Sequence, residues 1–294
     1  MNKRFEGTIV ALATPFKNGA FDEEAYRGLI DFVLSNGVEG IVPMGTTGEA
    51  VTMSAKERDQ AIAVAIDAAK GRAFVIAGTG NNNTQDSVEN TQRARALGAD
   101  GAMIVTPYYN KPTQAGLVEH FRLIAQGNPG FPLVAYNVPG RTGVDLLPET
   151  CARLGEIPEV VAIKEATASM ARAIDLVEKC GDRFSLLSGD DFTLLPFIAC
   201  GGKGCISVSA NVAPRQVSDL VKAARAGELA KARKLQVELN HLHRLLFIES
   251  NPIPVKWALF LMKKLGPEIR PPLTPMSEAN AAKLEAELSR LGLL

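Results

Sequence analysis

Eight short apolar runs alternate along the chain with longer stretches in which apolar and polar residues mix. The runs are GTIVALAT at 7–14, GIVPMG at 40–45, AFVIAGTG at 73–80, GAMIVTP at 101–107, PLVAYNV at 132–138, VVAIKEA at 160–166, FSLLSGD at 184–190 and GCISVSA at 204–210. They show little alternation, which suits strands covered on both faces, as in a parallel sheet. Helix signals fill the gaps. Ser54 and Glu57 form a capping box, AIAVAIDAAK follows, and Gly71 stops the helix. Thr84 and Thr113 are expected to cap the next two helices. Run centres stand about 20 to 35 residues apart, the size of one βα unit. Eight units in tandem predict an α/β fold closed as a (β/α)₈ barrel. A doubly wound open sheet is the rival.

The tail from 215 has no strand-like run. Helices are expected around 215–226, 228–249, 252–265 and 276–293, with Pro271, Pro272 and Pro275 interrupting before the last. A barrel's eighth helix uses only part of this tail. The expected division is therefore a barrel over 1–225 and a helical region over 226–294 packed on it. No low-complexity linker separates them.

Composition narrows the function. In 294 residues, 32 basic side chains balance 32 acidic ones. No global positive field is present to attract nucleic acid or an anionic membrane. An apolar share of 46% excludes a disordered chain. Cys151, Cys180, Cys200 and Cys205 form no CxxC pair and read as reduced thiols. The start MNKRFEGTIVALATPF is too short and interrupted for a signal peptide or a membrane span, so a cytoplasmic protein is expected.

Barrel enzymes carry their chemistry at the C-terminal ends of the strands. There stand Gly45-Thr46-Thr47-Gly48-Glu49, Thr106-Pro107-Tyr108-Tyr109-Asn110, Tyr136-Asn137 with Arg141 beyond, Lys164-Glu165, and Gly189-Asp190-Asp191. Lys164, turned inward, would lose charge on desolvation and become a nucleophilic amine for a carbonyl. The blander reading pairs it with a carboxylate. Glu165 is a poor candidate for that, because strand neighbours face opposite ways. Tyr136 could carry protons or simply fill the barrel. Thr46 and Thr47 could hold a carboxylate or form a tight turn. Arg141 could grip a carboxylate through its fork or lie solvated in a Pro-Gly-Arg-Thr-Gly loop. His120, His241 and His243 lack a metal-ligand spacing, and Asp190-Asp191 reads more readily as a helix cap than a metal site.

Together these motifs resemble the dihydrodipicolinate synthase family, a branch of the superfamily that includes N-acetylneuraminate lyase and keto-deoxy-sugar-acid aldolases. The resemblance runs the length of the chain, through IVALATPF, GTTGE, AGTGNNNT, VTPYYNKPTQAGL, YNVPGRTG, IKEAT, LLSGDD and NPIPVKWAL. It implies a (β/α)₈ barrel assembled as a homotetramer, a dimer of dimers, with no metal or other cofactor. It implies that pyruvate condenses with L-aspartate 4-semialdehyde, opening the diaminopimelate branch to lysine. Lys164 then resembles the Schiff-base lysine, Tyr136 the proton relay and Thr46 its partner. Tyr109 resembles a tyrosine supplied by a neighbouring subunit. Thr47 would hold the pyruvate carboxylate and Arg141 that of the semialdehyde, with Gly189 and Ile206 framing the substrate.

Some members of the family bind lysine as an inhibitor. The matching positions are Ala50, Ala55, Arg58, Asn82, Asp86 and Tyr108. Ala55 removes a polar contact and Arg58 adds a like charge, so weak or absent lysine inhibition is expected. Two other readings stay open at this point. One is a pyruvate-dependent lyase or aldolase acting on a sugar acid, and the other is a non-catalytic barrel that binds a keto acid.

Overall fold

The computed structural model describes residues 5–294; the basic start weighed in the signal-peptide reading lies partly outside them. Eight parallel strands close a barrel: β1 Gly7–Ala11, β2 Gly40–Val42, β3 Phe74–Gly78, β4 Gly101–Val105, β5 Leu133–Asn137, β6 Val160–Glu165, β7 Ser185–Ser188 and β8 Gly204–Ser207. Each pairs with the next, and β8 returns to β1, with Thr8 opposite Cys205. Every strand falls inside one of the eight apolar runs.

Helices α1 Glu23–Ser35, α2 Ala55–Ala69, α3 Thr84–Leu97, α4 Gln114–Gly127, α5 Pro148–Leu154, α6 Met170–Cys180, α7 Leu194–Ala199 and α8 Pro214–Arg225 surround the barrel. Three more follow: α9 Leu229–Leu245, α10 Ile253–Leu261 and α11 Glu278–Arg290. They pack on α8 and on one another, as the tail pattern predicts. Among the described residues no helix is long and apolar enough to cross a membrane.

Side chains separate into two layers. Ile9, Val42, Ile76, Met103, Val134 and Ile206 fill the barrel interior, while Val10, Ile41, Ala135 and Ile163 pack outward against the helices. A bulge at the start of β6 leaves Val161 without a Cα partner on β5. Beyond it Val134 pairs with Ala162 and Tyr136 with Lys164. The extra residue sets the facing of everything after it, so Tyr136 and Lys164 share the inner face.

Caps follow the sequence with one correction. Ser54 accepts from the Glu57 N–H at 3.3 Å, and Glu57 accepts from the Ser54 N–H at 2.9 Å. Thr113 caps α4. Thr84 does not cap α3; Asn83 does, accepting from the Gln85 N–H at 2.9 Å, and Thr84 is the first helical residue. Asparagine caps at least as well as threonine, and here its backbone is the extended one. The Thr84 hydroxyl instead meets Nδ1 of the buried His120 at 2.9 Å. A two-residue hairpin, Phe16–Lys17 against Ala20–Phe21, follows β1 and was not apparent from the pattern.

Candidate active site

Lys164 and Tyr136 lie side by side in the barrel mouth. The Lys164 Nζ sits 4.2 Å from the centroid of the tyrosine ring. Lys164 is 5% exposed and Tyr136 6%. Burial pushes the Lys164 pKa down to about 8; Asp191 opposes this and Arg141 adds to it. Burial pushes the Tyr136 phenol up to about 12, against the pull of Arg141 and a hydrogen bond with Thr46. Glu165 faces outward, where it accepts from Asn137 Nδ2 at 3.0 Å and from the Thr167 N–H at 2.8 Å. It is therefore not the partner of Lys164.

A cavity of ≈ 210 Å³ holds Lys164, Tyr136, Thr46, Thr47, Arg141 and Gly189 in its walls. At Gly189 a Cβ would lie 2.7 Å from Ala166 Cβ and 3.0 Å from Lys164 Cε. Only glycine leaves the lysine stem its room. Ile206 is fully buried in the barrel interior and does not line this cavity; Val208 does. A neighbouring cavity of ≈ 310 Å³ shares Thr46, Tyr136 and Arg141.

The turn after β2 is closed by Gly48 N–H to Gly45 O and Glu49 N–H to Thr46 O, both at 3.1 Å. It leaves Thr46 exposed and Thr47 buried. Arg141 stands on a one-turn helix, Pro139–Thr142, where the sequence suggested a loop. Asn251 joins these pieces. Its Nδ2 donates to Thr47 Oγ1 at 3.0 Å, and its carbonyl accepts from Arg141 Nη2 at 3.3 Å. No role was assigned to Asn251 from sequence. Its signals in the sequence are the Asn-Pro step between two helices, which reads equally well as a plain helix break, and its place at the head of the NPIPVKWAL motif. Asp190 caps the 3₁₀ turn Asp191–Thr193, whereas both oxygens of Asp191 are engaged by Ser207 Oγ, Val208 N–H and Ser209 N–H.

The positions matched to a lysine site divide. Ala50, Arg58 and Tyr108 line a third cavity of ≈ 180 Å³. Asn82 is not in its walls but donates through Nδ2 to the carbonyl of Tyr108, which is, at 3.2 Å. Ala55 and Asp86 are exposed and outside it. Tyr109 is 88% exposed with φ +73° and lines none of these cavities.

A buried lysine of lowered pKa beside a tyrosine, in the mouth of a (β/α)₈ barrel, defines an amine-nucleophile enzyme of the class I aldolase kind. Comparison with known proteins specifies the class further. The chain belongs to the dihydrodipicolinate synthetase family, whose model matches residues 4–291. It is 51% identical over 290 residues to the 4-hydroxy-tetrahydrodipicolinate synthase of Geotalea uraniireducens, covering 99% of this chain and 100% of the relative. Identity to the enzyme of the same name from Geobacter sp. strain M21 is 53%, with the same coverage. The dihydrodipicolinate synthase structure from Aquifex aeolicus superposes with a TM-score of 0.96 at 46% identity, over 98% of this chain and 99% of that one. The Thermotoga maritima structure gives 0.97 at 41%, over 99% and 100%.

Proposed function

We propose that the protein condenses pyruvate with L-aspartate 4-semialdehyde to 4-hydroxy-tetrahydrodipicolinate, the first step of the diaminopimelate branch to lysine. The observation that carries this reading is the buried Lys164 amine, its pKa near 8, at the cavity wall beside Tyr136. Lys164 attacks C2 of pyruvate, and the carbinolamine loses water to give a protonated imine. The imine acidifies the methyl group, which gives up a proton and leaves an enamine. The enamine carbon bonds to the aldehyde carbon, whose oxygen becomes the 4-hydroxyl. The semialdehyde amine then adds to the imine carbon and expels the Lys164 amine, closing the ring.

Tyr136 and Thr46 would pass the protons, since their hydroxyls are linked and stand beside the amine. Thr47 would hold the pyruvate carboxylate, oriented by Asn251. Arg141, shared by the ≈ 310 Å³ and ≈ 210 Å³ cavities, would meet the semialdehyde carboxylate. Gly189 would make space for the imine and Ile206 support it from below. The extreme exposure of Tyr109 fits a side chain that completes the site of a second subunit, within a homotetramer working in the cytoplasm. Residues 1–225 act as the catalytic barrel and 226–294 as its helical extension, which brings Asn251 to the mouth.

A coupled assay tests the reaction. Pyruvate and L-aspartate 4-semialdehyde are supplied with excess dihydrodipicolinate reductase and NADPH. Loss of NADPH absorbance is expected only with this protein and both substrates present. No turnover, with the coupling enzyme active in the same cuvette, would reject the reading. Arg141→Ala is expected to keep the borohydride-trapped pyruvate adduct and cut turnover with the semialdehyde by about a hundredfold, the scale of one lost charge-assisted clamp. Unchanged turnover would reject the substrate assignment.

A further inference from the structure

Tyr136 pairs with Lys164 on the inner face, and the ladder between β5 and β6 ends one step later, where Asn137 pairs with Glu165. The start of this ladder is bulged, so the register beyond depends on what holds its other end. A slip of one residue would turn Lys164 out of the barrel. The outward side chains of the last pair supply the hold. Asn137 is fully buried and Glu165 is 3% exposed. Asn137 Nδ2 donates to Glu165 Oε2 at 3.0 Å and to Asp145 Oδ1 at 2.9 Å, and its Oδ1 accepts from the Leu146 N–H at 3.0 Å. A backbone N–H can only donate, so Leu146 fixes the orientation of the amide, and both Nδ2 hydrogens fall on carboxylate oxygens.

Both carboxylates are tied on their far sides as well. Glu165 Oε1 accepts from the Thr167 N–H at 2.8 Å, and the Glu165 carbonyl accepts at 2.7 Å from the N–H of Gly189, the residue that leaves room for the Lys164 stem. Arg172 of α6 grips the other end: Nη2 meets Asp145 Oδ2, and Nη1 donates to the Leu146 carbonyl at 3.0 Å. Between Asn137 and this grip runs the segment 138–144, with the turn that carries Arg141. We propose that Asn137 is a positioning residue for the reaction: from the outer face of the barrel it fixes Lys164 against Tyr136 through Glu165, and fixes Arg141 through Asp145 and Leu146. It touches no substrate. This role rests on the reading of Lys164 as the nucleophile and Arg141 as the clamp for the second carboxylate. Its two arms act on different steps and can be broken one at a time.

Trapping with pyruvate and borohydride, followed by mass, reads the amine arm as a rate and as a final extent. Glu165→Gln sets an amide against the Asn137 amide and should slow trapping at least about tenfold, the scale of a small misplacement of reacting groups, while the final extent stays that of the unaltered protein. Asn137→Asp should slow it likewise. The double variant Asn137→Asp/Glu165→Gln reverses donor and acceptor across the bond, and should trap at least about threefold faster than either single variant. Asp145→Ala breaks the other arm; it should raise the KM for the semialdehyde about tenfold and leave the trapping rate alone. An unchanged rate in Glu165→Gln, or a smaller extent at an unchanged rate, would mean that the bond only supports folding and would overturn the proposal. A double variant no faster than the single ones would overturn it too, as would an unchanged KM in Asp145→Ala. An adduct without turnover in the unaltered protein would reject the second substrate alone, and the trapping rates would then decide the role of Asn137. No adduct in the unaltered protein would overturn this role together with the reading of Lys164.

Discussion

In the proposed reaction Lys164 would owe its reactivity to three neighbours and one absence. Tyr136 covers it, Arg141 repels its charge, and Gly189 makes room for its stem, while Glu165 points out of the barrel. With a pKa near 8, about one amine in ten is neutral at pH 7, against about one in three thousand for an ordinary lysine. The sign follows directly. The pKa is lowered, so the nucleophilic form grows as pH rises through about 8 and then levels off. The rate of borohydride-trapped adduct formation with pyruvate should follow that curve and vanish in Lys164→Ala. A rate still climbing past pH 10 would mean that the amine is not shielded as the structure has it. Tyr136, pushed up to about 12, stays protonated across this range and so can donate as well as accept.

At the scale of elements, the position of the turn after β2 depends on a distant helix. Glu49 adopts φ +51°, an uncommon conformation for a side chain with a Cβ. It is held there by Lys256 of α10, whose Nζ lies 2.5 Å from Glu49 Oε1, and by the Arg270 N–H on Oε2 at 3.0 Å. Lys256 and Arg270 both lie over the Phe16 ring, at 4.4 and 4.0 Å from its centroid. Both partners of the Glu49–Lys256 pair are almost fully enclosed. Removing one partner of a buried pair leaves the other charge stranded, so Lys256→Met should cost about 3–5 kcal/mol in a denaturant titration. A loss below about 1 kcal/mol, the range of surface pairs, would show that water reaches Glu49 freely. The strands were legible in the sequence because strands covered on both faces read as near-continuous apolar runs. Lys164, Tyr136 and Arg141 were legible because they stand at, or just beyond, the C-terminal ends of such strands. Asn251, Lys256 and Asp191 were not, since their partners lie on other elements and only closure of the chain brings them together. The cap of α3 shows the same limit at short range: Asn83 and Thr84 are both good caps, and the local backbone decides between them.

For the whole molecule the question is what the barrel mouth leaves outside. Tyr109 is 88% exposed and Val51 85%, both at this end of the barrel, although an aromatic and a branched aliphatic side chain are usually covered. Tyr109 holds a left-handed backbone, with its N–H on the Thr142 carbonyl at 3.3 Å, and this sends the ring away from its own cavity. The proposal that Tyr109 serves a second subunit's site makes the exchange reciprocal if two copies meet around a two-fold axis, because the same patch is used twice. Complementation then distinguishes service in trans from a merely exposed ring. Lys164→Ala lacks the amine but keeps Tyr109; Tyr109→Phe keeps the amine but lacks the phenol. Each should be nearly inactive alone. Unfolded and refolded together in equal amounts, half the pairs are mixed and each mixed pair regains one complete site, so about a quarter of the activity should return. Activity no higher than the average of the two separate variants would overturn service in trans: an inactive Tyr109→Phe would then place the phenol in the site of its own chain, and an active one would place it outside the reaction.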